Sequence, residues 1–288
     1  MCGINGVTRK DRELVGRMNA ATAHRGPDGV GIYEDERVTL GHNRLAIIDL
    51  SEKGAQPMKS ADGSLVITYN GELYNYRELR AELEGYPFKS GTDTEVILAA
   101  YTKWGIECLK RFNGIFAFAL WDSKKGELVL ARDPMGVKPL YYSVRAGTVF
   151  FSSEIKALLE VGIARTLDRE AFSRFMRITD VLGPNTMFQE VKKLPPANYA
   201  IVKTGIVTPV QYWTLDGVQK ERRSDGAWKE SIRSALDAAV SRQLVSDRPV
   251  GVFLSGGIDS SAVLASVVCA QGTARTYTTR FEVADSGG

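Results

Sequence analysis

Cys2 follows the initiator methionine directly, so removal of Met1 would leave one residue carrying both a thiol and a free α-amine. A free α-amine titrates at about 7.7 to 8, and in its neutral form it can take the thiol proton, as in N-terminal threonine nucleophiles. Nucleophile and base then share a residue. Position 2 accepts any small side chain, so Met-Cys-Gly by itself specifies little. His24 and His42 are the only histidines, so any imidazole-based triad would have to recruit one of them. Cys108 sits in a helix-like stretch after Trp104 and reads as a small buried hydrophobe.

A second group of chemistry-bearing residues is Leu254-Ser255-Gly256-Gly257-Ile258-Asp259-Ser260-Ser261, between an apolar strand and an apolar helix. Glycines there admit a ligand close to the backbone, hydroxyls and free N–H groups can meet an anion, and a helix N-terminus adds a favourable dipole. That is a phosphate cradle, although a plain strand-to-helix turn has the same composition. No Gly-Lys-Ser/Thr follows, and no Gly-x-Gly-x-x-Gly is present, so neither a Walker loop nor a dinucleotide fingerprint is at hand. On residue type alone, Arg44 and Asp93 are equally compatible with surface charges, and Asn70-Gly71 with a hairpin turn.

The elements that must position these groups follow from periodicity. Strand-like runs cover residues 3–8, 31–33, 38–41, 45–48 and 65–69, with a helix over 12–23 that ends in the turn His24-Arg-Gly-Pro-Asp-Gly29. Tyr76, Leu79 and Leu83, then Val96, Ile97, Ala100, Tyr101 and Trp104, have helical spacing. Residues 115–121 with 127–132, and 141–144 with 148–152, read as hairpins. Short helices over 154–160 and 169–177 and strands over 199–203 and 211–213 complete this part. Strands, a helical pair and strands again favour a layered α+β domain over a βαβ sheet. The polar stretch 214–226 is the best boundary. It separates a first domain, 2–213, from a second, 227–288, in which a helix through residues 228–239 precedes a buried strand at 249–254 and another at 276–281.

Composition sets the outer limits. The chain has 288 residues, 44% hydrophobic and 25% charged, with 37 basic against 34 acidic side chains for a net charge of +3. A balance this even gives no support to nucleic-acid or membrane-surface binding. Three cysteines at unrelated spacings form neither a disulfide framework nor a zinc pattern, and no metal ligands are assigned. No signal peptide or apolar run of membrane-spanning length is visible, so the expected location is the cytoplasm.

Seven motifs then occur in order: Cys2-Gly-Ile, His24-Arg-Gly-Pro-Asp28, Arg44-Leu45, Tyr69-Asn-Gly-Glu-Leu-Tyr-Asn75, Gly91-Thr-Asp-Thr-Glu95, Arg132-Asp-Pro-Met-Gly-Val-Lys-Pro-Leu-Tyr141 and Ser255-Gly-Gly-Ile-Asp-Ser260. Together they resemble the glutamine-hydrolysing asparagine synthetases over the whole chain. The resemblance implies an N-terminal nucleophile hydrolase with an αββα sandwich, the class II glutaminase domain, followed by the start of an α/β ATP-pyrophosphatase domain.

The implications of the resemblance for single residues are specific. Cys2 would attack the glutamine side-chain amide, Asn70 and Gly71 would form the oxyanion hole, and Arg44 would pair with the substrate carboxylate. Asp93 and Glu72 would receive its α-ammonium. Leu254, Ser255, Gly256, Gly257, Asp259 and Ser260 would hold ATP, with Mg2+ arriving on the nucleotide. The turn His24 to Asp28 would support the cleft without a catalytic part, and Arg132 to Tyr141 would be architecture between hairpins. The implied partners are glutamine, aspartate and ATP, and a homodimer is compatible with the pattern. Two strands and two helices cannot close an open α/β sheet, so the second domain is expected to be incomplete. Aspartate is then the default acceptor, and related amidotransferases or amide-forming ligases with other carboxylate acceptors share these motifs.

Overall fold

A computed structural model describes residues 1–280; the far end of the strand expected at 276–281 lies outside them. Two compact units are present, Met1–Asp216 and Gly217–Gly288. In chain order the first unit contains β1 (Gly3–Val7), α1 (Arg12–Ala21), β2 (Gly29–Glu34), β3 (Thr39–Arg44), β4 (Met58–Lys59) and β5 (Leu65–Leu73). Then come α2 (Tyr76–Glu82), α3 (Asp93–Trp104), β6 (Gly114–Asp122), β7 (Glu127–Arg132), β8 (Tyr141–Arg145) and β9 (Thr148–Ser152). It ends with α4 (Ile155–Leu159), α5 (Arg169–Ile178), β10 (Lys192–Lys193), β11 (Asn198–Val202) and β12 (Val210–Gln211).

The strands form two six-stranded sheets, ordered β10-β8-β9-β1-β3-β2 and β12-β11-β7-β6-β5-β4, with every pairing antiparallel. Their inner faces share one core that includes Ile4, Leu40, Val66, Trp121, Leu130 and Phe151. Successive residues of a strand face opposite sides, so Ile4 enters that core while Asn5 and Val7 turn outward. There Val7 packs with Leu14, Val15 and Met18 of α1 and with Ala157 and Leu158 of α4. On the other sheet α3 packs against β5, and all of its residues from Asp93 to Tyr101 are buried. The result is an αββα sandwich. Burial of large side chains such as Phe116, Phe118 and Phe151 stabilises it by about 1.5 to 3 kcal/mol each.

One departure from the sequence-based expectation, and one alternative that the sequence left open, bear on the site. Residues 45–48 are loop rather than strand, because β3 ends at Arg44 and the chain then turns around the Arg44 guanidinium, which donates to the carbonyls of Asp49 at 2.5 Å and Ser51 at 2.8 Å. Asn70 and Gly71 lie inside β5, paired with Ala117 and Phe116 of β6, so this dipeptide is not a hairpin turn.

The second unit contains α6 (Asp225–Gln243), β13 (Gly251–Phe253), α7 (Ile258–Gln271) and β14 (Arg275–Tyr277), with β13 parallel to β14. Val240, Val252 and Val267 make its small core. Among the described residues no helix is long and apolar enough to cross a membrane.

Candidate active site

Cys2 immediately precedes β1, which is flanked on both sides by β9 and β3. Behind it lies a buried polar lattice. The Asn5 amide donates to Asn19 Oδ1 and Thr22 Oγ1, both at 2.9 Å, the Asn43 amide donates to Thr22 Oγ1 at 2.8 Å, and Ser152 Oγ donates to Asn5 Oδ1 at 2.7 Å. These cross-links between β1, α1, β3 and β9 hold the start of β1 in place, although Asn43 Oδ1 has no partner among the described residues. The Leu45 N–H donates to Cys2 Sγ at 3.3 Å, which the loop after Arg44 makes achievable. Met1 is 55% exposed. Its side chain belongs to none of the buried core clusters, so its removal would take nothing from the core.

The turn His24 to Asp28 wraps this strand end. Arg25 Nε donates to the Cys2 carbonyl at 2.8 Å and Nη1 to Glu154 Oε1 at 2.8 Å. A side chain at Gly26 would strike the Asn43 carbonyl, with a Cβ-to-oxygen separation of 2.3 Å, so only glycine lets the turn lie this close to β3.

One pocket is lined by Cys2, Arg44, Gly71, Glu72 and Asp93, together with Tyr69, Gln56 and the loop after Arg44. Asn70 is buried beside it rather than on its lining, and its side-chain Nδ2 is a buried donor with no partner among the described residues. An unpaired buried amide costs about 1 to 3 kcal/mol; a donor kept in that state is available to an incoming oxygen. Asp93 starts α3 and accepts from Tyr69 Oη at 2.8 Å and the Leu73 N–H at 2.9 Å. Burial pushes both the Asp93 and Glu72 carboxyls above the carboxylate range, and Asp93 is the second cause of the Glu72 shift, which reaches about 8. Two carboxylates sharing a buried space call for a cation between them. Burial also raises the Cys2 thiol, countered first by the Leu45 N–H.

His42 is fully buried, held near a value of 4 by desolvation, with Nε2 3.1 Å from the Tyr69 carbonyl. It therefore stays neutral at pH 7 and ties β3 to β5. Cys108 is buried and pushed up to about 12, as a small hydrophobe would be.

Residues 1–213 match the family model for the glutamine amidotransferase domain. The chain belongs to that family. Residues 231–287, beyond the amidotransferase domain, match the asparagine synthase model. The chain is 39% identical to asparagine synthetase [glutamine-hydrolyzing] 1 of Bacillus subtilis, over 98% of its own length and 46% of the relative. It is 38% identical to amidase chry2 of Gibberella zeae, over 94% of its own length and 41% of the relative. The chain thus spans less than half of either. The fold matches the solved glutamine phosphoribosylpyrophosphate amidotransferase of B. subtilis, with a TM-score of 0.57 at 18% identity, covering 96% of this chain and 65% of that one.

In the second unit the loop 254–257 joins β13 to α7. Gly256 has φ +80, a conformation glycine adopts without strain, and open space where a side chain would stand. Gly257 caps α7 without a side-chain hydrogen bond, leaving first-turn N–H groups free for an anion. Ser255 Oγ and Ser260 Oγ are 3.0 Å apart. Sequence reasoning gave no catalytic or binding part to Arg25, Leu45 or Tyr69, which adjoin the amidotransferase pocket or its nucleophile, or to Glu154, which holds Arg25.

Proposed function

We propose that the amidotransferase domain hydrolyses glutamine at Cys2 and that the whole protein uses the ammonia to amidate a carboxylate, aspartate by default, with ATP. The observation that supports this best is the pairing of Glu72 with Asp93 in a pocket that also presents Cys2 and Arg44. A zwitterionic amino acid needs an anion for its ammonium and a cation for its carboxylate. Both are there, on the same lining as a thiol.

Met1 removal frees the Cys2 amine, which takes the thiol proton as sulfur bonds to the side-chain carbonyl carbon. The resulting oxyanion is received by the Asn70 amide and the Gly71 N–H. Collapse expels ammonia, which leaves with the proton returned by the amine, and a γ-glutamyl thioester remains. Water, deprotonated by the same amine, attacks that thioester, releasing glutamate and restoring the thiol. Arg25 holds the Cys2 carbonyl through these steps and Leu45 keeps a donor on the sulfur.

The loop of the second unit fits a nucleotide: Ser255, Gly256, Gly257, Asp259 and Ser260 would hold phosphates and Leu254 would lie near adenine or ribose. ATP, with Mg2+ bound to its phosphates, would supply acyl activation of the acceptor. A second reading, amide formation on another carboxylate, uses the same glutaminase chemistry, because the ammonia is produced independently of the acceptor. The test is release of glutamate and ammonia in equal amounts from glutamine without ATP, lost in Cys2→Ala. Glutamine turnover by Cys2→Ala equal to that of the unsubstituted chain would overturn the proposal.

A further inference from the structure

β9 ends at Ser152, opposite Asn5 of β1. Side chains then take over the hold on the nucleophile's strand. Ser152 Oγ donates to Asn5 Oδ1 at 2.7 Å. At Ile4 the carbonyl accepts from the Ser153 N–H at 2.9 Å, and the N–H donates to Ser153 Oγ at 3.1 Å. Alternate residues of a strand turn their N–H and C=O groups to the same edge, so the Cys2 carbonyl faces the β9 side, as that of Ile4 does. Among the described residues no strand meets it there, because the chain has left β9 and enters α4 at Ile155. Arg25 Nε supplies the missing donor at 2.8 Å.

Arg25 depends in turn on Glu154. Its side chain is 8% exposed, Nη1 donates to Glu154 Oε1 at 2.8 Å, and Nη2 is buried with no partner among the described residues. The planar guanidinium is therefore held between the Cys2 carbonyl and one carboxylate oxygen. Glu154 is itself tethered. Its N–H donates to Ser152 Oγ at 3.1 Å, Lys156 Nζ lies 3.3 Å from Oε2, and His24 Nε2 lies 3.0 Å from Oε1.

We infer that Glu154 is a positioning residue of the proposed glutaminase: by anchoring Arg25 it keeps the Cys2 carbonyl, and with it the residue that carries both amine and thiol, in one place. Once Met1 is removed, Cys2 joins the fold through a single peptide plane, and the residue behind that plane is Gly3, whose φ is freer than that of any residue with a side chain. Holding the Cys2 carbonyl fixes the plane, and so fixes the Cα atom from which amine and thiol branch. Without Glu154 the buried guanidinium keeps one hydrogen bond and loses its counter-charge. It is then drawn toward water, and the Cys2 carbonyl loses its donor.

This rests on Cys2 being the nucleophile of the proposed reaction, and two measurements separate the inference from that reading. In steady-state kinetics Glu154→Ala, or Glu154→Met if the smaller side chain does not fold, is expected to lower kcat for glutamine about ten- to a hundredfold with KM little changed, the scale of a small misplacement of reacting groups. Glu154→Gln keeps an acceptor for Arg25 and is expected to return most of the loss. Lys156→Ala removes only a half-exposed contact to Oε2 and is expected to stay within about twofold. Because Glu154 acts through Arg25, combining Glu154→Ala with Arg25→Met is expected to slow turnover no further than Arg25→Met does alone. Losses that multiply in the double variant, a raised KM at constant kcat, or an unchanged kcat overturn the inference. Amide hydrogen exchange in the N-terminal peptide through Val7, read by mass spectrometry, is expected to quicken in Glu154→Ala and in Arg25→Met and to stay unchanged in Lys156→Ala. Exchange in Glu154→Ala equal to that of the unsubstituted chain also overturns it. If the unsubstituted chain fails to turn over glutamine, the functional proposal fails while exchange still decides whether Glu154 holds the start of the chain.

Discussion

The guanidinium of Arg25 reaches the main chain of Cys2, its Nε–H donating to the Cys2 carbonyl oxygen at 2.8 Å while Nη1 holds Glu154 Oε1 at 2.8 Å. One buried cation thus joins the nucleophile's backbone to a residue just beyond β9. Since Arg25 touches the carbonyl of Cys2 and does not line the pocket, its part is orientation.

Arg25→Met removes both bonds and leaves Glu154 without its most buried partner. Hydrogen bonds to charged groups contribute about 1.5 to 3 kcal/mol, so kcat for glutamine is expected to fall roughly ten- to a hundredfold with KM little changed. Steady-state kinetics check this. A raised KM at constant kcat would place Arg25 in substrate binding.

Arg44→Ala acts differently. Arg44 lines the pocket and also braces the loop through the carbonyls of Asp49 and Ser51. Leaving a substrate carboxylate unpaired costs about 2 to 5 kcal/mol, so KM for glutamine is expected to rise at least tenfold. An unchanged KM would confine Arg44 to bracing the loop.

These two arginines mark the limit of what is legible in the sequence. Arg44 carries a charge that a zwitterionic substrate needs; hydrophobic spacing such as that of Tyr76, Leu79 and Leu83 gives a layered α+β domain, and the resemblance carried by the ordered motifs implies the αββα sandwich. Arg25 acts through a backbone carbonyl, which leaves no periodicity or spacing. For the Asn70-Gly71 pair the sequence left a turn open on local preference, and nine-residue pairing of β5 with β6 closes that alternative by keeping it in a strand. Residues 45–48 have strand-like composition, yet the needs of the Arg44 guanidinium and the Cys2 sulfur bend them into loop.

Asn70 offers a trade between stability and catalysis. Its buried amide has no partner among the described residues, so Asn70→Leu, close in shape and apolar, removes an unpaired donor and is expected to leave the melting temperature unchanged or higher. The same change is expected to lower kcat by about a hundred- to a thousandfold, as for loss of one oxyanion donor. Retained kcat would remove Asn70 from the oxyanion hole.

Glu72 sets a pH dependence of stability. Its folded value is raised to about 8 from 4.5 by burial and then by Asp93, so its neutral form favours the fold below the unfolded value and that contribution is lost as pH rises toward 8. Glu72→Gln lacks this slope. Thermal unfolding of substrate-free protein at pH 5 and pH 8 is expected to show the variant gaining on the unsubstituted chain at the higher pH. An equal difference at both values would contradict the raised carboxyl.

The central claim is that sulfur of an N-terminal Cys2 bonds to the side-chain carbonyl carbon of glutamine. Acid quenching of the unsubstituted chain during turnover, followed by mass analysis of its N-terminal peptide, tests this most directly. The expected peptide begins at Cys2, lacks Met1 and carries the added mass of one γ-glutamyl group, which hydroxylamine removes. Glutamine turnover by protein whose N-terminal peptide retains Met1 throughout, or whose γ-glutamyl group is found elsewhere, would contradict the account.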